Sequence, residues 1–366
     1  MHHTKSSPDY VFLGLVGILV VFGLVVLSSA SSVFSFEKFG SSFYLIRHQI
    51  LNGLLPGLAL FVVTMRMPYN SWRRFAAIMF VATILLLLFV LIPGIGRTFG
   101  GARSWFTIGS FSFQPSELVK FTFLIYLAAW FEKRREKVVD LKEGFLPFLL
   151  FLGIVALIIL AQPDVGTMLI VAASAIVLFM SVGARWSHIA ALAIGGLLVI
   201  TLLIKVAPYR LARLTAFVHP ELDPQGVGYQ VNQSILGIGS GGWLGVGFGH
   251  SRQKFRYLPE VTGDSIFAIM AEEMGFIVSA AFIILLLAVL WRMFLIAVQA
   301  RDDFAKYLTI GIAGWFGIQS FVNIGSMIGI LPLTGLPLPF ISYGGSALAV
   351  ELAAVGIVGS ISRHSE

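Results

Sequence analysis

Ten largely apolar stretches, each near the length that crosses a lipid bilayer, divide this chain: about 10–30, 45–65, 75–93, 115–131, 145–161, 166–182, 188–206, 265–298, 305–330 and 345–361. An α-helix rises 1.5 Å per residue, so roughly 20 residues traverse a ~30 Å hydrocarbon core. The expected fold is therefore an all-α integral membrane protein, a polytopic bundle of about ten transmembrane helices forming one unit over 1–366. Composition agrees: 57% of the residues are hydrophobic and only 12% charged, against about 25% charged in soluble domains. There is no cysteine, so neither disulfides nor thiolate metal sites contribute.

The net charge of +7 suits nucleic acid or anionic lipid, and its placement decides between them. An even number of spans puts both termini on one side, and 14 of the 25 Lys and Arg residues fall on that side. The short loops opposite hold only Lys38, Arg47, Arg97 and Arg103. The positive-inside rule then makes both termini cytoplasmic, and no nucleic-acid partner is expected. The first stretch is too long for the apolar region of a cleavable signal and lacks a small-residue cleavage site.

Most connections are short, but residues 207–263, between the seventh and eighth stretches, form a large extracytoplasmic loop rich in Gly, Pro, Arg and Gln. A loop of that length is a functional candidate. It reads as a turn at Asp223-Pro224, an amphipathic helix near 228–238, a glycine-dense strip and a basic strip. "GIGSGG" at 237–242 matches a dinucleotide-binding pattern in letters alone, since no strand precedes it. No phosphate-binding loop, zinc spacing or nucleophile elbow is present.

What remains is ionisable side chains at or near membrane depth, each costing roughly 2.5–3.5 kcal/mol on insertion scales. In "SFQPSELVKF", Glu117 and Lys120 stand three apart on one helix face. Such a pair either braces helices or lines a polar cavity. Asp164 in "AQPDVGT" is either a cap or a site residue. Asp264 is expected on the first turn of the eighth helix, at the outer aqueous boundary. Its sequence neighbours are Arg252, Lys254 and Arg256, with Arg210 and Arg213 at the loop's start. A carboxylate base among cations and a flexible glycine loop suits a phosphate-bearing substrate. Glu272 lies about two turns deeper.

The stretches "GGARSWFTIGSFSFQPSELVKF" (100–121), "QPDVGT" (162–167), "HPELDPQGVGYQVNQSILGIGSGGWLGVGFGHSRQKFRYLPEVTGDSIFAIMAEEMGF" (219–276) and "LPLTGLPLPFISYGGSAL" (331–348) resemble the SEDS family (shape, elongation, division and sporulation), which includes FtsW, RodA and SpoVE. "GFGHSRQKFRYLPE" is closer to FtsW or SpoVE than to RodA. The resemblance implies a ten-span glycosyltransferase of the bacterial inner membrane that polymerises lipid II into peptidoglycan glycan strands outside that membrane. Asp264 matches the family's essential outer-loop aspartate. The family pattern usually reads His-Thr-Asp-Phe there, where this chain has Thr262-Gly263-Asp264-Ser265. Glu117 and Lys120 match the charged pair of the central cavity, and Asp164 another recurrent polar position. Counter-charge for the departing undecaprenyl diphosphate is expected from Arg210, Arg213, Lys254, Arg256 or a divalent cation, Mg²⁺ or Mn²⁺, beside Asp264. The implied partner is a class B penicillin-binding protein, a transpeptidase of the division or elongation complex. The alternative allowed by the buried pair is a lipid II flippase or ion-coupled transporter.

Overall fold

The computed structural model describes residues 7–99, 102–109, 111–206, 208–219 and 226–364. The expected turn at Asp223-Pro224 lies outside them. All ten apolar stretches are helical: α1 (Tyr10–Ala30), α4 (Leu55–Arg66) with α3 (Tyr44–Gln49) leading into it, α5 (Tyr69–Leu91), α6 (Pro115–Glu132), α7 (Leu146–Ala161), α8 (Val165–Ser181), α9 (Trp186–Val206), α12 (Ile266–Val298), α13 (Asp303–Met327) and α14 (Gly345–Ser362). Among the described residues eight helices are long and apolar enough to cross a membrane by length and composition. Of the other two stretches, α8 is a shorter apolar helix and α6 carries the Glu117–Lys120 pair. Short α2 (Ser32–Phe39) joins α1 to α3, and the long loop supplies α10 (Pro208–Val218) and α11 (Val227–Gly241). The amphipathic helix expected near 228–238 is thus longer than its sequence pattern.

A small antiparallel sheet, β1 (Arg97–Phe99), β2 (Ala102–Ile108) and β3 (Phe111–Phe113), lies between α5 and α6 in that strand order. Thr98 pairs with Arg103 and Thr107 with Ser112. Among the described residues it is the one sheet in an otherwise helical architecture. The Arg103 N–H donates to the Gln162 carbonyl at 3.2 Å, tying the sheet to the α7–α8 junction.

Both described termini lie at one end of the bundle. The Asp9 N–H donates to Ser362 Oγ at 3.0 Å, and Arg292 pairs with the Asp9 carboxylate at 2.7 Å. At the same end Arg73 pairs with Glu132, Arg135 with Asp303, and the Tyr69 hydroxyl donates to Asp302. α14 is the axis of the bundle, with nearly all of its residues buried. Lipid lends no hydrophobic drive to helix pairing, so close association needs small residues. A Cβ on Gly356 would stand 2.0 Å from Thr64 Oγ1 and 2.6 Å from the Phe61 carbonyl, which sets how closely α14 meets α4.

At the opposite end α12 is broken at Gly275, whose φ of 75° and ψ of −176° are open only to glycine. Residues 242–247 fill the break. The Val246 and Gly247 N–H groups donate to the Glu272 and Glu273 carbonyls, while those of Phe276 and Ile277 donate to Gly242 and Trp243. Non-helical backbone at this depth is tolerated because these groups satisfy one another. A Cβ at 275 would stand 2.2 Å from the Gly245 nitrogen. Gly275→Ala is therefore expected to destabilise the chain by on the order of 3 kcal/mol, through strain and overpacking together. Gly14→Ala, where nothing lies within 4 Å, is expected to leave the melting temperature in detergent unchanged; equal melting of the two variants would contradict this account.

Candidate active site

The polar residues of this end are set by three elements. α13 presents Trp315, Gln319 and Asn323 four residues apart, one stripe of a 3.6-residue helix. α6 opens at Pro115, which places Glu117 in its first turn and Lys120 one turn on. The segment 331–344 crosses between α13 and α14 without regular structure.

The Glu117–Lys120 pair forms at 2.7 Å, with both side chains almost wholly buried. Lys120 Nζ also donates to Gln319 Oε1 at 3.0 Å and lies 5.3 Å from the Trp315 ring centroid. Trp315 Nε1 donates to the same Gln319 oxygen, and Gln319 Nε2 donates to the Pro337 carbonyl at 2.8 Å. One helical turn further, Asn323 Nδ2 donates to the Leu336 carbonyl at 2.7 Å and to the Asp264 carbonyl at 2.8 Å. The buried pair is thereby wired to the backbone of Asp264. Glu351 on α14, fully buried and within electrostatic reach of Glu117 and Lys120, accepts the Phe340 N–H at 2.9 Å.

Asp264 lies in the turn just before α12, two residues ahead of the first helical turn expected for it, and at 8% exposure it is buried rather than facing the aqueous boundary. Gln230 Nε2 of α11 reaches its Oδ1 at 3.4 Å and Ser265 Oγ at 3.0 Å. Burial, and next the nearby Glu260 carboxylate, push the Asp264 carboxyl up to about 7, while the Arg213 guanidinium opposes them. A carboxylate so raised is poised to take a proton near neutral pH. Arg213 is exposed, and its guanidinium donates to the Thr334 carbonyl at 3.5 Å. The Arg210 side chain lies outside the described residues.

The remaining candidates go elsewhere. Lys254 is buried, paired with Glu273 at 2.9 Å, and donates to the Gly249 carbonyl and Ser29 Oγ. Arg256 pairs with Glu37 at 2.7 Å on the surface. In this arrangement Lys254 is not free to meet a diphosphate, whereas Arg256 holds Glu37 through Nε alone and stays largely exposed. Glu272 accepts the Ser251 hydroxyl and the Arg252 and Gln253 N–H groups, so it folds the glycine loop onto α12 rather than facing Asp264. Asp164 caps α8 by accepting the Thr167 N–H at 3.0 Å. Among the described residues no three His, Asp or Glu side chains converge to hold a metal.

Sequence patterning does not single out Gln230, Gln319, Asn323 or Glu351, although the last three left a signal. Gln319 and Asn323 are amides four apart in an apolar helix, and Glu351 is the single charge of α14. The reassignment of Lys254 is measurable. Lys254→Met leaves Glu273 buried and unpaired and is expected to destabilise by about 3–5 kcal/mol, whereas Arg256→Ala should stay within about 1 kcal/mol. Thermal unfolding that ranks Arg256→Ala as the more damaging would overturn the assignment.

The FtsW/RodA/SpoVE family, described as cell cycle protein, matches residues 9–366. The chain is 39% identical to stage V sporulation protein E of Bacillus subtilis over 361 residues, covering 99% of this chain and 98% of that protein. It is also 39% identical to a probable peptidoglycan glycosyltransferase FtsW of Geobacter over 356 residues, 97% of each. Its fold is similar to a chain from a peptidoglycan synthase complex studied for how it coordinates polymerization and crosslinking, with a TM-score of 0.81 and 31% identity over 97% of this chain and 98% of that one. The rod shape determining protein RodA of Thermus thermophilus superposes with a TM-score of 0.73 and 29% identity, covering 97% of each chain.

Proposed function

Since this chain belongs to the FtsW/RodA/SpoVE family of cell cycle proteins, we propose that it is a peptidoglycan glycosyltransferase that polymerises lipid II, with Asp264 as its catalytic base. The single observation that carries the reading is the Asp264 carboxyl: buried, raised to about 7, and within the field of Arg213. In the reaction Asp264 takes the proton of the 4-hydroxyl on the acceptor's N-acetylglucosamine. That oxygen attacks the anomeric carbon of the donor's N-acetylmuramic acid from the face opposite the leaving group. One C–O bond forms, the C–O bond to phosphate breaks, and the electron pair departs with undecaprenyl diphosphate, so the configuration inverts.

Arg213, whose guanidinium acts on the Asp264 carboxyl, is the cation best placed to meet the diphosphate, since Lys254 is buried against Glu273. Among the described residues no three His, Asp or Glu side chains converge there, so Asp264 would be the protein group beside a divalent cation. Such a cation would supply further counter-charge to the leaving group. Asn323 and Gln230 hold Asp264 in place.

The protein is a multi-pass membrane protein. Placing Asp264 outside the cytoplasmic membrane and both termini in the cytoplasm follows from the excess of Lys and Arg at the terminal end. The substrate is undecaprenyl-linked and the product requires cross-linking, so the expected partner is a class B penicillin-binding protein in a division or elongation complex. The flippase or transporter alternative draws on Glu117 and Lys120, but Lys120 is engaged by Glu117, Gln319 and Trp315 together.

Polymerisation of purified lipid II by the reconstituted protein with its class B partner tests the reading. Asp264→Asn is expected to lower the rate by roughly 10²–10⁴-fold; wild-type polymer from that variant would remove Asp264 from the mechanism. The pH profile supplies a second check. The base must be deprotonated, so the rate should fall as pH drops through about 7. Glu260→Gln removes a like charge and should move that limb to lower pH, while Arg213→Gln removes the opposing cation and should move it higher. Limbs that stay fixed in both variants would assign the titration to another group.

A further inference from the structure

Glu351 is the one charged residue between Gly345 and Ser362, on the most enclosed helix of the bundle. A carboxylate at that depth is retained only where it has a partner that needs it. Its partner is a backbone group, the Phe340 N–H, at 2.9 Å. Phe340 has φ of 64°, a left-handed conformation that is uncommon for a bulky residue and persists only where its surroundings hold it. The other side of that residue is held too. A Cβ on Gly23 would stand 2.3 Å from the Phe340 carbonyl oxygen, so this carbonyl lies against the α1 backbone.

What lies beyond Phe340 gives the clamp its consequence. Ser342 Oγ accepts the Leu338 N–H at 2.8 Å and donates to the Gly263 carbonyl at 2.6 Å. The Tyr343 N–H donates to the Thr262 carbonyl at 2.8 Å. The turn that Glu351 fixes therefore holds the two residues immediately before Asp264. We infer that Glu351 is a positioning residue for Asp264, acting through the 336–344 turn without touching substrate; this rests on the glycosyltransferase reading above. The buried Lys120–Gln319–Pro337 path reaches the same turn from α13. Two buried polar routes thus converge on one segment, and that segment sets the height and angle of the base.

The test compares Glu351→Leu with Glu351→Gln in the reconstituted complex, using lipid II as substrate and following amide hydrogen exchange in parallel. Leucine leaves the Phe340 N–H without an acceptor, whereas the amide oxygen of glutamine still accepts it. Glu351→Leu is expected to lower kcat by roughly ten- to a hundredfold, the scale of a small misplacement of a reacting group, with KM within about twofold. Exchange should quicken at 260–265 and 336–344 while 346–362 keeps its protection. Glu351→Gln should recover kcat to within about fivefold of wild type. Unchanged kcat and exchange in Glu351→Leu, or equal losses in both variants, would overturn the assignment. If Glu351→Leu does not fold, Ser342→Ala cuts the same path nearer Asp264 and must lower kcat with KM preserved; a wild-type kcat there also overturns it. If the wild-type chain makes no polymer, the glycosyltransferase reading fails, and exchange alone decides whether Glu351 governs the 260–265 segment.

Discussion

Backbone amides that leave helical geometry near the membrane must find partners inside the protein, because hydrocarbon offers none. Two segments of this chain do so: 242–265, which runs up to α12, and 331–344, which joins α13 to α14. The first is satisfied by carbonyls exposed at the break of α12 and by the Glu272 and Glu273 carboxylates. The second is satisfied by amides of α13, by Glu351, and by its own Ser342. Where the two segments meet, through Ser342 and Gly263 and through Tyr343 and Thr262, Asp264 is held.

This arrangement gives several charges of the loop and of α12 structural partners. Glu273 and Lys254 pair with each other, and Glu272 is met by the Ser251 hydroxyl and two backbone N–H groups, so together they fold the glycine loop onto α12. A buried ion pair contributes little net stability compared with a well-packed apolar one, but losing one partner is severe. The loop is therefore fixed in one register by groups that can each bond in only one place. Asp264 differs: its carboxyl meets its own backbone N–H and long contacts from Gln230 and Ser265, and sits between the like charge of Glu260 and the Arg213 guanidinium. Weak satisfaction combined with burial keeps its proton affinity near neutrality.

The apolar spacing alone gave the ten helical stretches, because a run of about 20 apolar residues has few other stable outcomes. The acidic candidates were legible for the same reason: Glu117, Lys120 and Asp264 stand out where charge is costly. Glu117 and Lys120 had to meet once both lay on one helix at a spacing of three. The small sheet between α5 and α6 was not legible, since strands of three to seven residues carry little pattern.

Only tertiary structure decided which charges were paired, and with what. Arg213, Lys254 and Arg256 look alike in sequence, but Lys254 is taken by Glu273 and Arg256 by Glu37, residues about 20 and 220 positions away. Glu351 and Asn323 acquired their roles in the same way, from backbone groups of a segment whose path no local propensity sets. Periodicity and the expense of buried charge fix what a residue must avoid. Its partner is fixed only when distant segments have packed, because a hydrogen bond depends on ångström-scale geometry that sequence spacing does not carry beyond a single helix.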